Sequence, residues 1–563
     1  MKSALLDGSG LPERWRGRDR FVVLQTGFGT GHDFLATWDT WRRDPNACGH
    51  LHFIALEPHP ISQAGLAQLH RDSALAEVWP PLTPNLHRLD FALGRVQLLL
   101  LFGDVGSALK ECVAEVDAFF LHDFALAQRP KVWPPRLFKS LARLAAPNAT
   151  LAASTATPEL HEGLTSVGFE VQPATASSDD KPLTVARFAP AFSRKGIPLR
   201  GMPRSVNERR AVIVGAGLAG CAAAWALAEQ GWRSVLLDRH GAPAQEASGN
   251  PGGLFHGIVN PQDGTHARFN RAAALEAQRA VAHAITEHGV SGSAAGLLRL
   301  NTGPSDVVVM RAMLARLGLP PEYVQAVDAA QASAWCGWPV AHAAWFYPGG
   351  GWVDPAGLAR AYLERAAPQA LFIGGTAVDS IHRVAEGWQL RDAQGHTIEE
   401  AETVVLANAG DALRLLGHPG WPIEAVRGQI SIAPTGHVVS NSALPLSGAG
   451  YLLPAVNGRA VFGATSQPGD MDPTVRDSDH ADNLARLAQL RGAASGLVPA
   501  DLVGRTAWRW MSSDRLPVVG AVPEPMAPSA GSAPRLDQPR FVDRKSTRLN
   551  SSHERLSRMP SSA

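Results

Sequence analysis

Twice in this 563-residue chain an apolar run breaks into closely spaced glycines, and that pattern admits few folds. The first run is Phe21-Val22-Val23-Leu24-Gln25, followed by Thr26-Gly27-Phe28-Gly29-Thr30-Gly31. The second is Ala211-Val212-Ile213-Val214, followed by Gly215-Ala216-Gly217-Leu218-Ala219-Gly220. A parallel strand buried on both faces reads as a continuous apolar run. A glycine turn after it lets the backbone approach a ligand that a side chain would hold off. Each segment therefore predicts the opening of an α/β nucleotide-binding unit. Between them, residues 190–210 (PAFSRKGIPLRGMPRSVNERR) are rich in Pro and Arg and lack an apolar period, which reads as a linker.

Further elements follow the same logic. Leu51–Glu57, Val96–Phe102, Asp117–Leu121 and Thr150–Ser154 read as strands in the first half, with a helix over Leu137–Leu144. Ser234–Asp238 and Thr403–Ala407 read as strands in the second. The four cysteines, Cys48, Cys112, Cys221 and Cys336, are far apart, which argues against a disulfide framework or a zinc site, and we expect no metal. No apolar stretch approaches the ~20 residues that span a bilayer. We expect no membrane partner and a cytoplasmic protein. A net charge of +1 means that any nucleic acid must be held by a local patch. Arg14, Arg16, Arg18 and Arg20 form one short basic run, and Arg194, Lys195, Arg200 and Arg204 another. Charge runs usually only solvate a face.

In the first half, Gly27, Gly29 and Gly31 form the turn, Glu57 ends the next strand, and Asp104 ends the one after. A carboxylate at Glu57 can accept both hydroxyls of a ribose, and Asp104 can meet an adenine amino group. One glycine turn alone would merely close a strand–helix corner. The three features together point to an adenosyl ligand without phosphates, S-adenosylmethionine (SAM). In the second half, Gly215, Gly217 and Gly220 complete a G-x-G-x-x-G between strand and alanine-rich helix. Asp238 lies near the ~20-residue spacing expected of a ribose-binding acid. That fingerprint alone does not separate NAD from FAD.

The motifs carry a resemblance. Thr26–Gly31, Leu51–Ile54 and the run Asp117–Leu144 resemble the methyltransferase domain of the bifunctional tRNA-modifying MnmC family. Ala247-Ser248-Gly249-Asn250-Pro251-Gly252-Gly253 resembles the small-residue stretch that approaches the pyrophosphate and flavin in glycine oxidase-like FAD enzymes. Gly351–Pro355, Val405–Gly410 and Val426–Gln429 fit the oxidoreductase half of the same family. The resemblance thus implies FAD, with Ser248, Asn250 and Gly252 beside it. It also has departures. Where the family carries Asp-Gly-Phe-x-Pro, with its acid beside the methyl acceptor, this chain has His122-Asp123-Phe124-Ala125-Leu126. His122 and Asp123 are the candidate catalytic residues, or else they cap a strand turn. No glycine-rich turn follows Arg515–Gly520, and we expect a chain incomplete at both ends.

The expected fold is α/β: a Rossmann-like SAM methyltransferase domain fused to a glycine oxidase-like FAD domain with an inserted mixed-sheet substrate domain. The expected boundaries are 1–190 (methyltransferase), 191–209 (linker), 210–543 (oxidoreductase) and 544–563 (a disordered or non-native tail). The resemblance implies a tRNA partner, and we expect a monomer. It also implies two steps on a wobble uridine: FAD-dependent removal of the carboxymethyl group from 5-carboxymethylaminomethyl-2-thiouridine, then SAM-dependent methylation of the freed amine. Two rivals remain: a small-molecule amine oxidase fused to a methyltransferase, and a chain that binds cofactors without turnover.

Overall fold

A computed structural model describes residues 3–70, 73–122, 134–172, 175–176, 182–191, 208–301, 303, 306–434, 442–455 and 458–522. They fall into two compact units, one within Met1–Ser205 and one within Val206–Gly520. Among the described residues, no helix is long and apolar enough to cross a membrane. Asp123, the basic run from Arg194 to Arg204, and the tail 544–563 lie outside the described residues.

The first unit is built on one nine-stranded sheet. Its strands are β1 (Arg20–Thr26), β2 (His50–Glu57), β3 (Asn85–Phe91), β4 (Val96–Phe102), β5 (Val116–Leu121), β6 (Ala145–Ala153), β7 (Phe169–Val171), β8 (Thr175–Ala176) and β9 (Pro182–Phe188). They lie in the order β3-β4-β2-β1-β5-β6-β9-β7, with β8 on β9. The centre, β4-β2-β1-β5-β6, is parallel, and antiparallel strands flank it. Alternate residues of the central strands feed two cores. Phe21, Val23, Phe53 and Phe120 enter one, and Leu24, Leu56, Phe119 and Leu121 the other. Burial on both faces is why these strands read as unbroken apolar runs. The chain leaves β1 toward β2 and β4, then returns to β5 on the other side. The carboxyl end of β1 is therefore a topological switch point, where open α/β sheets bind ligands.

The second unit opens on a four-stranded parallel sheet of Ala370–Ile373, Arg233–Leu237, Arg210–Val214 and Thr403–Leu406, in that order. The helix Leu218–Glu229 comes after its central strand. A separate nine-stranded mixed sheet runs from Gln325–Val327 at one edge to the long strand Ile423–Pro434, which pairs along its length with Val503–Ser512.

The basic run at the start of the chain has partners within the fold. Arg14 donates to the Asp117 carbonyl at 3.0 Å, the Thr150 hydroxyl at 2.6 Å and the Asn148 carbonyl at 2.9 Å. Arg18 pairs with the buried Asp117 carboxylate at 2.8 Å, and Arg16 reaches Asp44 at 3.1 Å. Arg14 and Arg18 fasten this stretch of chain to the sheet and Arg16 ties it to the end of the helix His32–Arg43, while Arg16, Arg18 and Arg20 stay exposed. Trp508 donates its indole N–H to the Asp470 carbonyl at 2.8 Å, and Trp510 lies against Gly410.

Candidate cofactor and methyl-acceptor sites

At the switch point, Gly27 and Gly29 have φ of +78° and +57°, backbone that L side chains rarely adopt. A Cβ on Gly29 would meet nothing within 4 Å, so the turn stands open above it. Gly31, also left-handed, begins the helix His32–Arg43. Glu57, at the end of β2 and buried, holds this turn: Gly29 N–H donates to its Oε2 at 2.8 Å and His59 N–H to its Oε1 at 2.7 Å. A carboxylate offers about four acceptor positions, so lone pairs remain for a ribose diol. Asp104 comes after β4 and N-caps the helix Val105–Glu111, accepting the Ser107 N–H at 2.8 Å. Hydrogen bonding from Ser107 holds its carboxyl below the usual range. Open space also lies over Gly103. These residues share the carboxyl ends of β1, β2 and β4 and fit an adenosyl ligand.

His122 ends up beside the same turn, because β5 lies next to β1. Its N–H donates to the Thr26 carbonyl at 3.2 Å, and a Cβ on Gly27 would come within 3.2 Å of its own Cβ. Its Nε2 is 2.7 Å from Asp33 Oδ2. Asp33 is buried in the first turn of the helix after the glycines, and it also accepts from Ser3 Oγ at 2.7 Å and Gln25 Nε2 at 3.0 Å. Burial works against its ionisation, but the hydrogen bonds from His122 and Ser3 prevail and keep its carboxyl below the ordinary range. Sequence reasoning missed Asp33. Its one local signal is its place in the first turn of a helix, where a carboxylate is favoured.

In the second unit Gly215 has φ +98°, and Gly217 caps the N-terminus of Leu218–Glu229. A Cβ on Gly220 would lie 1.8 Å from the Gly215 carbonyl oxygen, so the helix seats against the strand only with glycine there. Asp238 Oδ2 accepts the Ala216 N–H at 2.7 Å and Oδ1 the His240 N–H at 2.8 Å. Ser248 Oγ accepts the Leu218 N–H at 3.2 Å at the mouth of the helix. Asn250 Oδ1 accepts from Arg505 at 2.8 Å, and the same guanidinium donates to the Gln245 and Glu246 carbonyls, both at 2.8 Å. A Cβ on Gly252 would sit 2.3 Å from Leu453 Cδ1, so the buried Leu453 side chain packs directly on the glycine. An open glycine turn at a helix N-terminus, with a ribose-spaced acid and a pinned small-residue stretch, fits a dinucleotide. Arg505 had no signal in the sequence, since its partners lie some 255 residues upstream.

Two Rossmann-like sites of different design therefore define a chain of two joined enzymes, a SAM-dependent methyltransferase and an FAD-dependent oxidoreductase. Residues 68–187 match the family model described as S-adenosyl-L-methionine-dependent methyltransferase, and residues 210–538 that of FAD dependent oxidoreductase. The chain is 47% identical over 557 residues to the tRNA 5-methylaminomethyl-2-thiouridine biosynthesis bifunctional protein MnmC of Methylibium petroleiphilum, covering 96% of this chain and 84% of that one. With the protein of the same name from Paraburkholderia xenovorans it shares 39% identity over 532 residues, 92% of this chain and 81% of the relative. The chain belongs to the MnmC family. Among solved structures it is similar to glycine oxidase from Geobacillus kaustophilus, at 24% identity and a TM-score of 0.45 over 56% of this chain and 87% of that one.

Proposed function

We propose that the chain carries out two consecutive steps on a tRNA wobble uridine. The C-terminal unit, residues 210–543, removes the carboxymethyl group from 5-carboxymethylaminomethyl-2-thiouridine, and the N-terminal unit, residues 1–190, methylates the amine that is released. The observation that carries this reading is the presence, in one chain of this family, of two glycine turns each locked to the acid of the next strand. Bound FAD supplies a two-electron acceptor and bound SAM a transferable methyl group.

The chain's own residues bind and orient. Gly215, Gly217 and Gly220 bring the helix N-terminus to the pyrophosphate, Asp238 turns its spare lone pairs to the ribose, and Ser248, Asn250 and Gly252 line the approach to the flavin. Gly27, Gly29 and Gly31 admit the adenosyl ligand, Glu57 takes its ribose hydroxyls and Asp104 its adenine edge. His122 and Asp123 are the residues assigned to the methyl acceptor. Such a chain works in the cytoplasm, where tRNA is, and we expect it to be monomeric by size-exclusion chromatography.

The test is nucleoside analysis of tRNA bearing 5-carboxymethylaminomethyl-2-thiouridine after incubation with the full chain. Without SAM the expected product is the aminomethyl nucleoside, and with SAM the methylaminomethyl one. Oxidation of free glycine or sarcosine with the tRNA left unchanged would instead establish a small-molecule amine oxidase. Bound cofactors without either reaction would establish an inactive chain.

A further inference from the structure

We propose that Asp33 is the positioning residue for His122, and that His122 serves as general base for the amine, an imidazole standing where the family pattern has a carboxylate. This rests on the reading of the N-terminal unit as an amine methyltransferase. The tautomer of the ring sets the roles. Asp33 accepts only, so its contact at 2.7 Å requires the proton on Nε2. In the neutral ring Nδ1 then carries the lone pair, and no hydrogen bond to Nδ1 is found among the described residues. About a third of the His122 side chain is exposed, against 11% for Asp33, so the base is reachable while its partner is not. The His122 Cβ lies against Gly27, on the turn assigned to SAM.

The carboxylate is itself held from several sides. Ser3 Oγ donates to Oδ1, and Gln25 Nε2 bridges Oδ2 and the Gly27 carbonyl, at 2.9 Å from the latter. Glycine turn, carboxylate and imidazole are therefore one hydrogen-bonded assembly. The charged or titratable groups around it are few. His32, next on the helix, lends Asp33 favourable charge. Glu57 is engaged by Gly29 and His59. Thr26, from β1, is neutral. Asp123, next to His122 in the chain, lies outside the described residues.

The step is a proton transfer. An N–H bond of the aminomethyl ammonium breaks and an Nδ1–H bond forms, leaving a neutral amine and an imidazolium paired with Asp33. The nitrogen lone pair so freed is what methyl transfer requires. Imidazole is the side chain suited to taking and giving a proton near neutral pH, and the hydrogen bond to Asp33 orients it for that.

Two measurements on the full chain test this. In single-turnover methylation of aminomethyl-uridine tRNA, the parent's rate should rise with pH to a plateau through one inflection. Asp33→Asn should lower that inflection, because the neighbouring negative charge is gone, and cut the plateau about 10- to 100-fold. Its SAM affinity by calorimetry should stay within about twofold. His122→Gln should abolish the inflection, and His122→Asp should restore a fast rate that is flat above about pH 6, where a carboxylate is already ionised. Independently of turnover, ¹⁵N NMR of the histidine-labelled protein should show His122 as the Nε2–H tautomer, a preference that Asp33→Asn removes. A parent that binds SAM but never methylates this tRNA sinks the substrate reading and the proposal with it. An active parent whose profile ignores both Asp33→Asn and His122→Gln sinks the dyad alone, as does an unchanged tautomer in Asp33→Asn.

Discussion

The two glycine turns solve one problem with different parts. In each, the acid ending the second strand grips the turn through one oxygen and the N–H two residues further on through the other: Glu57 with Gly29 and His59, Asp238 with Ala216 and His240. They differ in the stretch between strand and helix. After β1 the chain makes three left-handed glycines before its helix starts at His32, and the longer Glu57 reaches across to the middle of that wide loop. After Val214 only Gly215 is left-handed, the helix starts at once at Leu218, and the shorter Asp suffices. A tight turn delivers helix N–H groups and the positive end of a macrodipole to a phosphate. A wide one gives up that contact for room, which suits a ligand with no phosphate to hold.

The largest effect should come from Gly220. Its missing Cβ would lie 1.8 Å from a backbone oxygen, which cannot yield as a side chain end can. Gly220→Ala should therefore destabilise the C-terminal unit by about 3 kcal/mol or more and remove flavin altogether. Gly217→Val tests the same turn differently. The Cβ there meets only Ser248 Oγ, at 3.3 Å, so the fold should survive while the pyrophosphate is displaced. Thermal melts together with the visible spectrum separate the two cases. Full flavin occupancy in Gly217→Val would mean the tight turn does not hold a phosphate, and the contrast between tight and wide turns would fail.

Next in size is Glu57→Ala. Charged hydrogen bonds contribute about 1.5–3 kcal/mol each. Losing those to the turn and to the ribose should weaken SAM binding at least tenfold by calorimetry and leave flavin occupancy unchanged. Glu57→Gln sharpens this: an amide retains one acceptor oxygen, so it should keep part of the turn and bind SAM with intermediate affinity. Unaltered affinity in Glu57→Ala would make this acid a brace for the backbone only.

How far the sequence reached depends on how local each feature is. Val96–Phe102 was legible to the residue, and β1, β2 and β5 to within a residue or so, because strands buried on both faces leave continuous apolar runs. The turns were legible because glycine spacing is local. The partners of the basic run were not legible because sequence shows charge alone: Arg14 and Arg18 answer to Asp117, some hundred residues on, once β5 lies beside β1. The same adjacency brings His122 to Asp33 across 89 residues. Arg505 and Asn250 likewise meet only through topology.

A smaller effect is expected at Arg505. Its guanidinium spans Asn250 and two backbone carbonyls, and burial pulls its pKa below the usual arginine value. Arg505→Lys keeps the charge but not the fork that reaches three acceptors. FAD affinity, titrated into apoprotein by fluorescence, should fall about three- to tenfold with the melting temperature little changed. An unchanged affinity would show that the stretch 245–250 needs no pin from the distant strand.

The smallest effect separates two roles of one side chain. Asp104 caps the helix Val105–Glu111 through Oδ1, and its carboxylate is also hydrogen-bonded by the Ser107 hydroxyl and the Gly106 N–H. A carboxylate offers about four acceptor positions, so it can serve the cap and an adenine contact together, and a substitution can divide the two roles. Serine caps a helix about as well as aspartate, whereas alanine costs about 1 kcal/mol. Serine's single hydroxyl, committed to the cap, cannot also reach a base edge. Asp104→Ser should therefore melt like the parent yet bind SAM about threefold more weakly, and Asp104→Ala should lose both stability and affinity. The wide turn leaves its ligand without helix N–H groups, so side chains at the ends of β2 and β4 must supply the recognition. Parental affinity in Asp104→Ser would mean that Glu57 and the loop supply it without β4, which narrows the contrast with the tight turn to a single carboxylate.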